Sequence, residues 1–115
     1  NLYNQLIKKS DLIEMQPHSL KYADNIWWVF GILIKEPLQF DAKEFMKKLS
    51  NENIGSRPFF YPIHKQPVYQ HIESFKKINH PISENLAEKG FYIPSGLSLT
   101  KQDIEYVSNK INLII

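Results

Sequence analysis

The sequence predicts an α+β domain in which a small antiparallel sheet packs with helices. Three observations predict it. One apolar run, residues 26–34, has the β-branched and aromatic content of a strand. Two stretches, 41–49 and 100–114, each place a cap residue before apolar side chains at helical spacing. Between them, residues 56–69 hold three prolines, which deny that segment a helix. The 115 residues fit one domain and leave no room for two.

Taken in order, Leu2, Leu6, Ile7, Leu12 and Ile13 stand at roughly helical spacing. They predict a short helix ending near residues 8–10, where Lys8 and Lys9 suit its C-terminal end. Pro17 stops any continuation, and residues 15–24 read as a connector. The strand run Ile-Trp-Trp-Val-Phe-Gly-Ile-Leu-Ile follows, closed by Lys35-Glu36-Pro37. It does not alternate apolar with polar, so both faces must be covered. Either this domain's own elements cover both, or one face meets something outside the chain.

Asp41-Ala42-Lys43-Glu44 reads as a capping box, and Ala42, Phe45, Met46 and Leu49 then form one apolar helix face. Those residues are core. Gly55 suits the left-handed turn that ends the helix. Residues 56–69 carry four aromatics beside the prolines, so a rigid loop of extended geometry is expected, with Phe59-Phe60-Tyr61 able to form a short strand. Residues 70–77 read as a short helix or an irregular turn. A helix over 82–89 is expected to take Ser83 as its cap and Gly90 as its stop, and Phe91-Tyr92-Ile93-Pro94 is a brief extended piece. Thr100 and Asp103 repeat the capping device, and Ile104, Val107, Ile111 and Ile114 make a stripe to the end.

Composition excludes several classes. At 43% hydrophobic and 23% charged, the chain is globular rather than disordered. A formal net charge of +2 is too small to argue for nucleic acid or an anionic membrane surface. With no cysteine there is no disulfide scaffold, thiolate metal site or cysteine nucleophile. The longest apolar run has nine residues, against the roughly 20 that a spanning helix needs. Residues 1–10 contain no apolar h-region of a secretory signal, so a cytoplasmic chain is the simplest expectation. The chain opens on Asn1, not Met, and reads as a fragment.

Few residues carry chemistry. His18, His64, His71 and His80 form no pair with metal-ligand spacing, and the isolated glycines build no phosphate loop. Lys65, beside His64, suits imine chemistry only if desolvated, and a solvated lysine is the simpler reading. The proline-rich loop itself is the best candidate. Arg57 offers a fork for anionic oxygens, His64 and Gln66 offer groups for hydroxyls, and the rings, Tyr69 among them, can stack on a sugar or base. A packed surface loop whose polar groups satisfy local backbone is the alternative.

Six segments carry a resemblance. They are Asn25-Ile26-Trp27-Trp28-Val29-Phe30, Asn53-Ile54-Gly55-Ser56-Arg57-Pro58-Phe59-Phe60, Pro62-Ile63-His64-Lys65-Gln66-Pro67-Val68-Tyr69, the stretch from Ser83-Glu84-Asn85-Leu86 to Gly90, Ile93-Pro94-Ser95-Gly96, and Leu99-Thr100-Lys101-Gln102-Asp103-Ile104. In this order the chain resembles the C-terminal part of the DegT/DnrJ/StrS family of sugar aminotransferases dependent on pyridoxal phosphate (PLP). It is most similar to the perosamine-synthase-like branch, whose members aminate a keto group on a nucleotide-linked deoxysugar.

The resemblance implies a fold-type I enzyme with a large N-terminal PLP-binding domain, absent here, and a C-terminal small domain spanning residues 1–115. It implies glutamate as amino donor and a homodimer whose active sites are shared across the interface. The catalytic lysine belongs to the large domain, so this chain alone is expected to bind no PLP and to be inactive. The family's small-domain loop comes near the sugar nucleotide, which makes His64 the first substrate-pocket residue, followed by Arg57, Gln66 and Tyr69. A pyridoxamine-dependent sugar dehydratase of the same family and a stand-alone non-catalytic binding module remain alternatives.

Overall fold

The computed structural model describes residues 2–76 and 78–115, with the side chain of Lys76 excepted. Asn1 and Lys77, which bound two of the expected segments, lie outside the described residues. The fold is α+β. A four-stranded antiparallel sheet runs in the order β1-β4-β6-β5, formed by Ile13–Met15, Phe30–Ile34, Gly90–Ile93 and Arg57–Pro58. Ser19–Leu20 (β2) and Ala23–Asp24 (β3) make a separate two-stranded hairpin. Helices α1 (Tyr3–Leu6), α2 (Ala42–Asn51), α3 (Glu73–Lys76), α4 (Pro81–Lys89) and α5 (Lys101–Ile114) complete it.

Alternation along the two central strands sorts the sheet into two faces. Phe30, Ile32, Ile34, Phe91 and Ile93 point into the core, where they join Ala42, Phe45 and Leu49 of α2, Val107 and Ile111 of α5, and Tyr3 and Ile7. Burial of this apolar surface is the main term holding the domain together. Phe45 lies 5.0 Å from Phe91, ring to ring, and joins helix to sheet. The opposite face carries Gly31 and Gly90, and there the ring of Phe59 lies against the strands. The chain's own elements thus cover both faces at these glycines, whereas Ile26 and Trp28 at the start of the run are exposed.

Strand β4 is shorter than expected, beginning at Phe30 rather than Ile26. Trp27 takes a positive φ of 57°, a left-handed conformation no strand interior can hold. The Asn25 side chain accepts from the Trp27 amide at 2.8 Å, and the indole stacks 5.8 Å from His18 and 5.4 Å from Phe30. Turn chemistry and ring packing therefore override the strand propensity of the run. On its other side β4 pairs with β1, where the sequence predicts helix and connector, and beyond β1 the Gln16 side chain accepts from the Gly31 amide at 2.7 Å.

The first helix ends at Leu6, because the Asn112 side chain of α5 takes the Leu6 carbonyl at 2.9 Å and the Lys8 amide at 2.8 Å. At α2, Asp41 accepts from the Glu44 amide at 2.9 Å, the forward half of the expected box. Its C-terminus is a Schellman turn, with Ile54 N–H to Leu49 O and Asn53 N–H to Ser50 O, both 3.0 Å. Asn53, not Gly55, takes the left-handed position with φ 57°. The full reciprocal box forms at α5 between Thr100 and Asp103. Helix α4 starts at Pro81 and not after Ser83, since proline's fixed φ and missing N–H suit a first helical position.

Candidate functional site

The proline-rich segment is built as one edge strand followed by two single helical turns. Arg57–Pro58 pairs with β6 at the sheet edge, the place where a proline costs no ladder bond. The strand expected over Phe59-Phe60-Tyr61 therefore lies just before those residues. Pro62 and Pro67 then open 3-10 turns over Ile63–Lys65 and Pro67–Tyr69, so the segment is tighter than the extended loop expected. Glu73–Lys76 forms the short helix allowed for the next stretch.

His64 is the buried polar side chain of this segment, with 7% of its surface exposed. Its Nε2 lies 2.8 Å from Glu84 Oε1, and its backbone carbonyl accepts from the Gln70 side chain at 2.8 Å. Glu84 Oε2 accepts from Lys65 Nζ at 2.9 Å, and Oε1 also faces the His80 amide at 3.3 Å. Hydrogen bonds from His64 first, then Lys65, bring the Glu84 carboxyl down to about 2. The carboxylate is thus ionised and accepts only, which puts a proton on His64 Nε2. The His80 ring meets His64 edge-on at 5.0 Å. Beside them opens a hollow of about 430 Å³, walled by Phe60, Tyr61, His64, Phe75, His80 and neighbouring residues.

Of the four residues singled out by sequence, His64 alone lines this hollow. Arg57 is exposed on β5, and among the described residues no carboxylate pairs with it. Gln66 donates to the Tyr61 carbonyl at 3.4 Å, and Tyr69 stacks on Phe75 at 5.1 Å, so both brace the loop. Glu84 was missed. Its position at the start of a helix reads as an ordinary dipole-compensating acid, and its partner His64 lies 20 residues away.

The sequence pattern of the DegT/DnrJ/EryC1/StrS aminotransferase family matches residues 1–112. The chain belongs to this family. GDP-perosamine synthase of Escherichia coli O157:H7 is 31% identical over 103 residues, which is 90% of this chain and 26% of that protein. The chain thus spans about a quarter of that relative's length. The fold matches Helicobacter pylori PseC, an aminotransferase involved in the biosynthesis of pseudoaminic acid, at a TM-score of 0.83 and 15% identity, over 97% of this chain and 29% of that one. It also matches E. coli GDP-4-keto-6-deoxy-D-mannose-3-dehydratase at a TM-score of 0.69 and 16% identity, over 95% and 28% of the two chains.

The aminotransferases of this family imply PLP, which requires a desolvated amine able to form an imine. Among the described residues no lysine fits that requirement. Every lysine whose side chain is described is exposed or half-buried, and Lys65 is tied to Glu84. Around the hollow stand the His64 imidazole and aromatic rings, with the Arg57 guanidinium exposed on β5. No helix among the described residues is long and apolar enough to cross a membrane.

Proposed function

We propose that residues 1–115 are the C-terminal small domain of a cytoplasmic, homodimeric, PLP-dependent aminotransferase that moves an amino group from glutamate to a nucleotide-linked keto-deoxysugar. In this reading the large N-terminal domain of the same enzyme carries the cofactor and the catalytic lysine. This domain supplies one wall of the sugar-nucleotide pocket. His64 meets a sugar hydroxyl, and Arg57 meets the diphosphate as an anion-binding fork. Gln66 and Tyr69 belong to the same wall, where their loop contacts hold its shape. The family match over residues 1–112, together with the similarity to a GDP-perosamine synthase, carries the proposal.

The fold likeness to a sugar 3-dehydratase favours a second reading, in which the intact enzyme removes a hydroxyl instead of adding an amine. One experiment separates them. The intact gene product is supplied with PLP, glutamate and a nucleotide-linked keto-deoxysugar, and the sugar product is identified by mass. Gain of an amino group supports the aminotransferase, and loss of a hydroxyl without amination supports the dehydratase. A gene product that neither takes up PLP nor changes the sugar leaves the stand-alone binding module.

A further inference from the structure

We infer that Glu84 is a positioning residue, which locks the His64 imidazole as its Nε2–H tautomer and so fixes what that ring offers a bound sugar. The inference rests on the proposed role of His64 in the sugar-nucleotide pocket and extends it to a residue outside the loop. The geometry is specific. Two adjacent side chains, His64 and Lys65, leave one 3-10 turn and land on the two oxygens of a single carboxylate, at 2.8 and 2.9 Å. That carboxylate stands on α4, in the first turn behind Pro81, where the fixed φ of proline sets the direction of the helix. Its third donor, the His80 amide, comes from the residue that caps α4.

The consequence for the imidazole follows from donor and acceptor rules. An ionised carboxylate offers lone pairs only, so the ring nitrogen facing it carries hydrogen. A neutral imidazole has one hydrogen, which leaves Nδ1 as the acceptor. With the tautomer fixed and the His80 ring packed edge-to-face with it at 5.0 Å, His64 is a preset acceptor for a hydroxyl donor and needs no reorientation on binding. Lys65, held by the same carboxylate, keeps its ammonium beside the imidazole instead of sweeping through solvent. A carboxylate that orients a histidine in this way acts through another residue, as supporting carboxylates do at many histidine sites.

The test uses the intact gene product labelled with nitrogen-15 in histidine, at a pH where imidazole is neutral. The chemical shifts of the two ring nitrogens report which one bears hydrogen. Wild-type His64 is expected to show a single Nε2–H tautomer, and Glu84→Ala a mixture of both. Glu84→Gln, which keeps the side-chain volume should the alanine variant fail to fold, is expected to release the tautomer too, because an amide presents either an acceptor or a donor. Glu84→Ala is also expected to lower kcat/KM for the sugar nucleotide about tenfold while the amino-donor half-reaction is unchanged. A wild type without the Nε2–H tautomer, variants that retain it, or a released tautomer with unaltered sugar use would each overturn the inference. Failure of the parent reading looks different: His64→Ala would then leave sugar use intact, whatever the tautomer of the ligand-free wild type.

Discussion

The ring of Phe59 occupies the space where Gly31 would carry a side chain: a Cβ built on Gly31 would lie 2.7 Å from Phe59 Cζ. The same ring crosses to Gly90 on the neighbouring strand, two steps along the register, so one aromatic covers the outer face of the β4–β6 pair at both glycines. Phe59 directly follows the Arg57–Pro58 strand, and its amide donates to the Gly90 carbonyl at 3.1 Å. The contact therefore ties the start of the candidate site to the middle of the sheet.

Substitution at the two glycines should differ in cost. A methyl at Gly90 collides with the Leu86 backbone carbonyl as well as with Phe59, and a backbone atom inside a helix cannot move aside. A methyl at Gly31 meets chiefly the outer end of a ring. Gly90→Ala is expected to destabilise by about 2–3 kcal/mol and Gly31→Ala by about 1 kcal/mol, read as shifts in the urea midpoint at unchanged slope.

The α5 cap offers a smaller and cleaner effect. Thr100 Oγ1 accepts from the Asp103 amide at 3.2 Å, while Asp103 Oδ2 accepts from the Thr100 amide at 2.8 Å. Hydrogen bonds from Thr100 hold the Asp103 carboxyl below its ordinary value. Thr100→Ala is expected to cost about 1 kcal/mol in chemical denaturation. It should also let the Asp103 carboxyl rise toward the ordinary range in a carbon-13 titration.

Glu84 predicts a pH dependence with a definite sign. Its carboxyl is brought from an ordinary 4.5 to about 2 in the folded chain, so the unfolded chain takes up that proton first as pH falls. The contribution is therefore fully present above about pH 4.5 and is lost as the pH falls toward about 2. A carbon-13 titration of the Glu84 carboxyl should show a midpoint near 2. In His64→Ala, which removes the first of its donors, the midpoint should move up toward 4.5.

What the sequence revealed of the fold follows the range of the forces involved. Caps are local, so Asp41 and Thr100 marked the starts of α2 and α5 correctly, and the stripe through Val107 and Ile111 marked the buried face of α5. Strand β1, the exposed β2–β3 hairpin and the edge strand at Arg57–Pro58 were illegible because they have three residues or fewer, and pairing across the sheet defines them. Trp27 misled for a related reason: its aromatic character favours a strand, while the Asn25 side chain and two stacked rings hold it left-handed. At the candidate site the proline-rich loop drew attention to Arg57, His64, Gln66 and Tyr69 together, and the family resemblance put His64 first. Its partner Glu84 sits in another element, and no local pattern connects the two.

The central claim is that the segment around His64 forms one wall of a sugar-nucleotide pocket whose reactive half lies in the other domain. Single-turnover kinetics of the two half-reactions, in the intact enzyme with and without His64→Ala, tests it most directly. The account predicts an unchanged rate for the amino-donor half-reaction and a loss of about tenfold or more in kcat/KM for the keto-sugar half-reaction. Equal losses in both half-reactions, or no loss in either, would contradict it.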